Sequence, residues 1–300
     1  MTIPRPSAAP LAGCGTALAT PFAASGDIDE AALRRFVRWQ LDEGVHFLVP
    51  CGSPGEAATM TVAEQRRVVE VVVEEAAGRV PVVAGAGSND TQKAIALSRE
   101  LEDAGATHLL HVAPMYSRPP QRGIALHFRA IADAVDLPTV LYNVPSRTGC
   151  NIDAATTIEL ATHPRIVGTK EASGVLTQVT DILVGRPAGF VVLSGDDELT
   201  LPICVLGGDG LISVASNAAP RLMAELVRTA RAGDVSRARE LHLRALPLMR
   251  AASVESNPIP IKAALAMLGR FEPVLRSPLV QLDSRHESVV RSALQRAGAL

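Results

Sequence analysis

Apolar residues in this chain fall into two alternating patterns. Short, nearly continuous apolar runs give way to longer stretches with helical spacing, and the pair repeats about every thirty residues. The short runs predict strands over Gly15–Pro21, Phe47–Cys51, Pro81–Gly85, His108–Ala113, Thr139–Asn143, Ile166–Lys170, Phe190–Ser194 and Gly210–Val214. The amphipathic stretches between them predict helices over Glu30–Glu43, Val62–Ala77, Thr91–Ala104, Gly123–Ala134, Ala154–Ala161, Val175–Leu183, Glu198–Leu206 and Ala219–Ala230. The joints carry matching punctuation. Asp29 is placed to cap the first helix, and Thr61 with Glu64 three residues on reads as a capping box for the second. Gly44 and Gly105 fall just past helix ends, where a left-handed residue is needed.

Eight strand–helix pairs in about 230 residues fit a (β/α)8 TIM barrel, typically ~250 residues long. A doubly wound open sheet is the alternative, but it calls for a phosphate loop after the first strand. The one GxG candidate, Gly85-Ala86-Gly87, follows the third strand and lacks a third glycine. From Asp234 to Leu300 the pattern gives about three more helices and no strand. The expected organisation is therefore a barrel over residues 1–233 and a C-terminal helical appendage over 234–300.

Composition narrows the function. Hydrophobic residues make up 47% of the 300 and aromatics 3%, which suits a parallel sheet buried on both faces by helices. With a net charge of -2 and no run of like charges, neither nucleic acid nor a membrane surface is an expected partner. Cys14, Cys51, Cys150 and Cys204 form no CxxC pair, so a disulfide or metal framework is not expected. Leu11-Ala12-Gly13-Cys14 looks like a lipoprotein box, but MTIPRPSAAP ahead of it has three prolines and no apolar segment. The expectation is a cytoplasmic protein.

Of the 29 basic residues only Lys93, Lys170 and Lys262 are lysines, and the other 26 are arginines. An arginine-rich chain has little structural reason to end an apolar strand on Lys170, and only an amine can act as a nucleophile. In a barrel, the C-terminal strand ends form the active site. A free lysine (pKa ~10.4) is neutral about one time in a thousand near pH 7, and desolvation raises that share. A lysine at a barrel mouth is thus suited to forming a Schiff base with a keto acid. The loop after strand two, Cys51-Gly52-Ser53-Pro54-Gly55-Glu56, brings flexible glycines and the Ser53 hydroxyl. The chain's two tyrosines, Tyr116 and Tyr142, both fall at strand ends, and Arg147 can fork onto a carboxylate. His108 and His111, the pair a metal-dependent aldolase would use, lie on opposite strand faces by their spacing and cannot chelate one ion.

The motifs GSPGE, YSRPPQRG, YNVPSRTG, GTKEASG, LSGDD, GGDGLISV and NPIPIK, in this order, closely resemble the dihydrodipicolinate synthase / N-acetylneuraminate lyase family of class I aldolases. The similarity runs from about Gly15 to the C-terminus, and the YNVPSRTG and Tyr116 motifs are most like the synthase branch. The resemblance implies condensation of pyruvate with aspartate 4-semialdehyde to 4-hydroxy-tetrahydrodipicolinate, on the route to lysine. It implies a covalent imine on Lys170 and no other cofactor. Tyr142, Ser53 and Tyr116 become a proton relay, with Tyr116 crossing a dimer interface in a homotetramer built as a dimer of dimers. Arg147 takes the carboxylate of the semialdehyde, and Gly195 and Ile212 line the site with backbone. Glu171 and Glu56 are read as structural, and Asp196 and Asp197 as either supporting residues or a helix cap.

Two departures qualify the resemblance. Synthases usually carry two threonines where this chain has Ser53-Pro54, so one hydroxyl for the keto-acid carboxylate is missing. Lysine-inhibited members have two histidines, a glutamate and a tyrosine where this chain has Val62, Gln65, Lys93 and Met115, which implies insensitivity to lysine. The competing readings are a lyase or dehydratase acting on a keto-deoxy sugar acid or N-acetylneuraminate, and a non-catalytic barrel that binds a keto or amino acid.

Overall fold

The computed structural model describes residues 11–300. The MTIPRPSAAP stretch, and the reading that it holds no signal, lie outside the described residues. Eight parallel strands form one sheet: β1 (Gly13–Ala17), β2 (Phe47–Val49), β3 (Val83–Gly85), β4 (His108–Val112), β5 (Thr139–Asn143), β6 (Ile166–Glu171), β7 (Val191–Ser194) and β8 (Gly210–Ser213). Their order, β2-β1-β8-β7-β6-β5-β4-β3, runs around a cylinder. The parallel bridge Leu48–Val82 and the Gly85 N–H donating to the Pro50 carbonyl (2.9 Å) join the two ends. The fold is a (β/α)8 barrel.

The barrel is covered by α1 (Glu30–Asp42), α2 (Val62–Ala76), α3 (Thr91–Asp103), α4 (Gln121–Ala134), a one-turn α5 (Pro145–Thr148), α6 (Ala154–Leu160), α7 (Leu176–Gly185), α8 (Thr200–Val205) and α9 (Pro220–Arg231). Local chemistry explains their starts. Asp29 accepts the Ala32 N–H at 2.9 Å, and Thr61 with Glu64 forms the capping box in both directions. Gly44 and Gly105 adopt the left-handed conformation just past α1 and α3. The chief displacement from expectation is β1, which begins two residues early and ends at Ala17. Beyond it, the side-chain amide of Asn217 captures the backbone at Ala17 and Ala19, so Leu18–Pro21 leave the sheet.

The lumen is packed by Phe47, Val83, Leu110, Val140, Leu193 and Ile212, among others. Large and small residues interlock there: a Cβ on Gly15 would sit 2.0 Å from the Phe47 ring, and one on Gly168 would sit 2.3 Å from Val191. Gly85 and Gly87 serve the same kind of close approach, against the Cys51 carbonyl and Val112. After α9 come α10 (Val235–Ala251), α11 (Ile259–Met267) and α12 (Glu287–Ala297). They share one apolar core with α9 and with Cys14 and Leu211 of the barrel. On the other side of α11 the Arg270 guanidinium stacks 3.9 Å from the Trp39 ring centroid, and Phe271 meets Phe36 edge-on at 5.5 Å. No helix among the described residues is long and apolar enough to cross a membrane.

His108 and His111 point to opposite faces of β4. His108 contacts the Thr107 hydroxyl at 2.9 Å, while His111 lies beneath α3 against Ser98 at 3.4 Å. Burial pushes the His108 imidazole down to about 4 and that of His111 to about 3. The unfolded chain therefore binds more protons than the folded one between pH 6.5 and 4, and stability must fall as pH is lowered through that window. His108 alone accounts for about 3 kcal/mol at the bottom of it. Urea midpoints should drop from pH 7 to pH 5.5, above the range where ordinary carboxylates titrate; unchanged midpoints would contradict this account.

Candidate active site

Strand register assembles the centre of the site. In the parallel ladders Tyr142 of β5 pairs with Lys170 of β6, which pairs with Leu193 of β7. Alternation turns Val140 and Tyr142, and Gly168 and Lys170, toward the lumen. Lys170 ends 5% exposed, with Nζ 4.0 Å from the centroid of the Tyr142 ring. The π face attracts a positively charged amine and holds it inside the mouth, so the amine does not extend into water. Gly195 closes the other flank: a Cβ there would lie 3.0 Å from both Cε and Cγ of Lys170 and 2.8 Å from the Ala172 Cβ. Its N–H donates to the Glu171 carbonyl at 2.7 Å, fixing the β7 end against β6. Ile212 lines the same lumen from β8 and is buried.

The carboxylates near this centre are already engaged. Glu171 points outward and accepts from the Asn143 amide (3.0 and 3.2 Å), the Ser173 N–H (2.7 Å) and the Gln178 amide (3.3 Å). Asp197 is half-buried and accepts from the Ser213 hydroxyl at 2.5 Å and from the Val214 and Ala215 N–H groups at 3.0 Å. Burial raises its pKa while these three donors oppose the shift. It ties the loop after β7 to the turn after β8, whereas Asp196 makes a local turn through the Glu198 N–H. Neither is free for acid–base work on a substrate.

Ser53 and Pro54 sit in the loop after β2, at the same end of the barrel as Lys170. Tyr116 is elsewhere: it has a left-handed backbone (φ 72°) and is 91% exposed, so within one chain it reaches neither Lys170 nor Tyr142. It lines a surface depression of about 630 Å³ with Met115, Arg118, Ser146 and Arg147. Arg147 projects from the single turn of α5, which Pro145 starts and the left-handed Gly149 ends. Tyr116 and Arg147 are thus brought together at the rim, and Lys170 and Tyr142 in the lumen.

Residues 10–297 match the model of the Dihydrodipicolinate synthetase family. The chain belongs to that family. It is 48% identical over 291 residues to 4-hydroxy-tetrahydrodipicolinate synthase of Koribacter versatilis, covering 97% of each chain. Two solved structures extend the likeness to three dimensions. The chloride-inhibited dihydrodipicolinate synthase of Acinetobacter baumannii complexed with pyruvate superposes with a TM-score of 0.95 at 37% identity, over 96% of this chain and 99% of that one. The enzyme of Cyanidioschyzon merolae with lysine bound gives 0.93 at 40%, over 96% and 99%. The chain is accordingly a family member of the lyase type, a pyruvate-using aldolase.

The support around the site was not legible from motifs. Asn143 and Gln178 as holders of Glu171, and Asp197 as a tie between β7 and β8, depend on pairing across strands. A further tie, from Lys262 to the Ser53 loop, had one available signal: Lys262 is one of only three lysines and closes the NPIPIK motif.

Proposed function

We propose that the enzyme condenses pyruvate with aspartate 4-semialdehyde to give 4-hydroxy-tetrahydrodipicolinate, in lysine biosynthesis. The observation that carries this is the Lys170 amine held against Tyr142 inside the barrel mouth. The neutral amine adds to the C2 carbonyl of pyruvate, and loss of water leaves the imine. Loss of a C3 proton gives the enamine, which attacks the aldehyde carbon; the amino group of the semialdehyde then adds to the imine carbon and displaces the Lys170 amine, closing the ring of the product. Tyr142, Ser53 and a Tyr116 from a neighbouring subunit move the protons. An exposed tyrosine at the rim suits that crossing, and a dimer-of-dimers tetramer supplies the neighbour. Arg147 takes the semialdehyde carboxylate, with backbone at Gly195 and Ile212 lining the keto-acid end. No cofactor beyond the imine is required.

Pro54 favours one second reading. It brings no hydroxyl and no N–H to the keto-acid end, which leaves room for a keto-deoxy sugar acid in place of pyruvate. Borohydride reduction with a panel of keto acids, followed by peptide mass spectrometry, tests both. The expected result is a pyruvate adduct on Lys170 together with turnover of the semialdehyde; an adduct only with sugar-derived keto acids would replace this function with the second. No adduct with any of them would point to a non-catalytic barrel.

Insensitivity to lysine belongs to the same proposal. At the four relevant positions, Val62 is an exposed apolar residue, Gln65 spends its amide on the Ala57 and Met60 carbonyls, and Lys93 adds an exposed cation. A cationic effector meets like charge at Lys93, and none of these positions supplies a carboxylate. Activity in 1 mM lysine should equal activity without it; half-inhibition below about that level would refute the assignment.

A further inference from the structure

The loop that carries Ser53 is strained at both ends. Cys51 (φ 57°) and Glu56 (φ 55°) are left-handed without being glycine, a conformation that persists only where the surroundings impose it. Its own bonds are few: the Gly55 N–H donates to the Gly52 carbonyl at 3.1 Å, and the Glu56 N–H to the Ser53 carbonyl at 3.2 Å. A further hold, on the Glu56 side chain, comes from more than 200 residues further along the chain. The Glu56 carboxylate accepts from Lys262 Nζ at 2.6 Å and from the Arg276 N–H at 3.0 Å, and the side chains of Glu56 and Lys262 are both 0% exposed. Lys262 and Arg276 each stand 4.4 Å from the Phe22 ring centroid. The Arg276 guanidinium also bonds the Thr59 carbonyl just beyond the loop (2.9 Å), the Gly26 carbonyl (2.9 Å) and Glu64 at the start of α2 (2.6 Å).

From this arrangement we infer that Lys262, through Glu56, is a positioning residue for Ser53: the helical C-terminal region sets the place of one hydroxyl in the barrel mouth. The inference rests on the relay role proposed above for Ser53. A buried ion pair is a poor stabiliser, because desolvating both charges offsets most of their attraction and an uncharged pair is often as stable. What this pair supplies is direction. The Glu56 carboxylate has its acidic oxygens fixed by two donors from α11 and the segment after it, and the Glu56 N–H in turn fixes the carbonyl of Ser53. A hydroxyl displaced by about 1 Å from its proton partners costs about 100-fold in rate.

The test is a set of variants assayed with pyruvate and the semialdehyde: Ser53→Ala, the uncharged pair Glu56→Gln/Lys262→Met, and the triple combination. The pair variant should melt near the wild-type temperature and still give the borohydride-trapped pyruvate adduct on Lys170, while kcat falls at least tenfold. The triple variant should be no slower than Ser53→Ala, because the pair acts only through that hydroxyl. Wild-type kcat in the pair variant, alongside a slow Ser53→Ala, would overturn this inference alone; so would a loss in the triple variant equal to the product of the two separate losses. Full activity in Ser53→Ala would instead remove the relay role and this inference with it. Should the pair variant fail to fold, Glu56→Asp keeps both charges but draws the loop back by one methylene. It should lower kcat while the adduct persists, and unchanged kcat there overturns the inference.

Discussion

A Lys170→Met variant is expected to form no borohydride-stable adduct with pyruvate and to lose about a thousandfold or more in kcat, equivalent to ~4 kcal/mol of barrier. Methionine keeps the length and apolar stem that pack beside Gly195 and over the Tyr142 ring, so the barrel loses a nucleophile without gaining a cavity. The loss is large because the proposed imine splits a hard carbon–carbon step into easier ones, and no other lysine is placed to replace it. Of the two remaining lysines, Lys262 is buried against Glu56, and Lys93 is exposed on α3. Mass spectrometry of the reduced protein with pyruvate reads this directly. An adduct that persists in the variant, on any residue, would show that the reaction is not centred on Lys170.

The second large effect is expected from a single methyl group. Gly195→Ala places a Cβ 2.8 Å from that of Ala172 and 3.0 Å from two carbons of Lys170, closer than side chains tolerate. Ala172 belongs to the backbone turn after β6, so the new methyl pushes that turn and the β7 end apart, and the lysine stem on the same strand must shift with them. Its amine then shifts off the Tyr142 face and out of line with the relay proposed above. A displacement near 1 Å is enough for about a 100-fold loss in kcat. The overpacking itself costs about 1–3 kcal/mol of stability. Slow adduct formation, with a modest fall in melting temperature, is the expected pattern. Normal trapping kinetics would show that the lysine does not depend on the empty space at Gly195.

These two variants separate what the linear chain reveals from what it conceals. Each strand was legible because its apolar run is short and the next amphipathic stretch follows at once; Thr139–Asn143 agrees residue for residue. Lys170 was legible because the chain otherwise uses arginine, and a lone lysine at a strand end stands out. Its pairing with Tyr142 was not, since adjacency there depends on a register shift between Thr139 and Val140 that no local pattern encodes. Gly195 could be named from its motif, but the reason it must be glycine lies in a side chain 25 positions earlier in the chain. Glu56 read as structural; that its partner is Lys262, 206 residues away, is a property of the closed fold. Motifs disclose the groups that do chemistry, whereas the groups that aim them are recruited across the barrel.

Trp39 is the single tryptophan, and it lies on α1 under Arg270, far from the lumen that holds Lys170. Indole emission from this enzyme will therefore report whether the segment following α11 is seated against α1, since lifting it removes a cation from the ring face. It will be nearly blind to the arrival of a keto acid. A denaturation curve followed at that wavelength tracks the seam between the first helix and the C-terminal region, the same part of the chain that reaches back to the Ser53 loop.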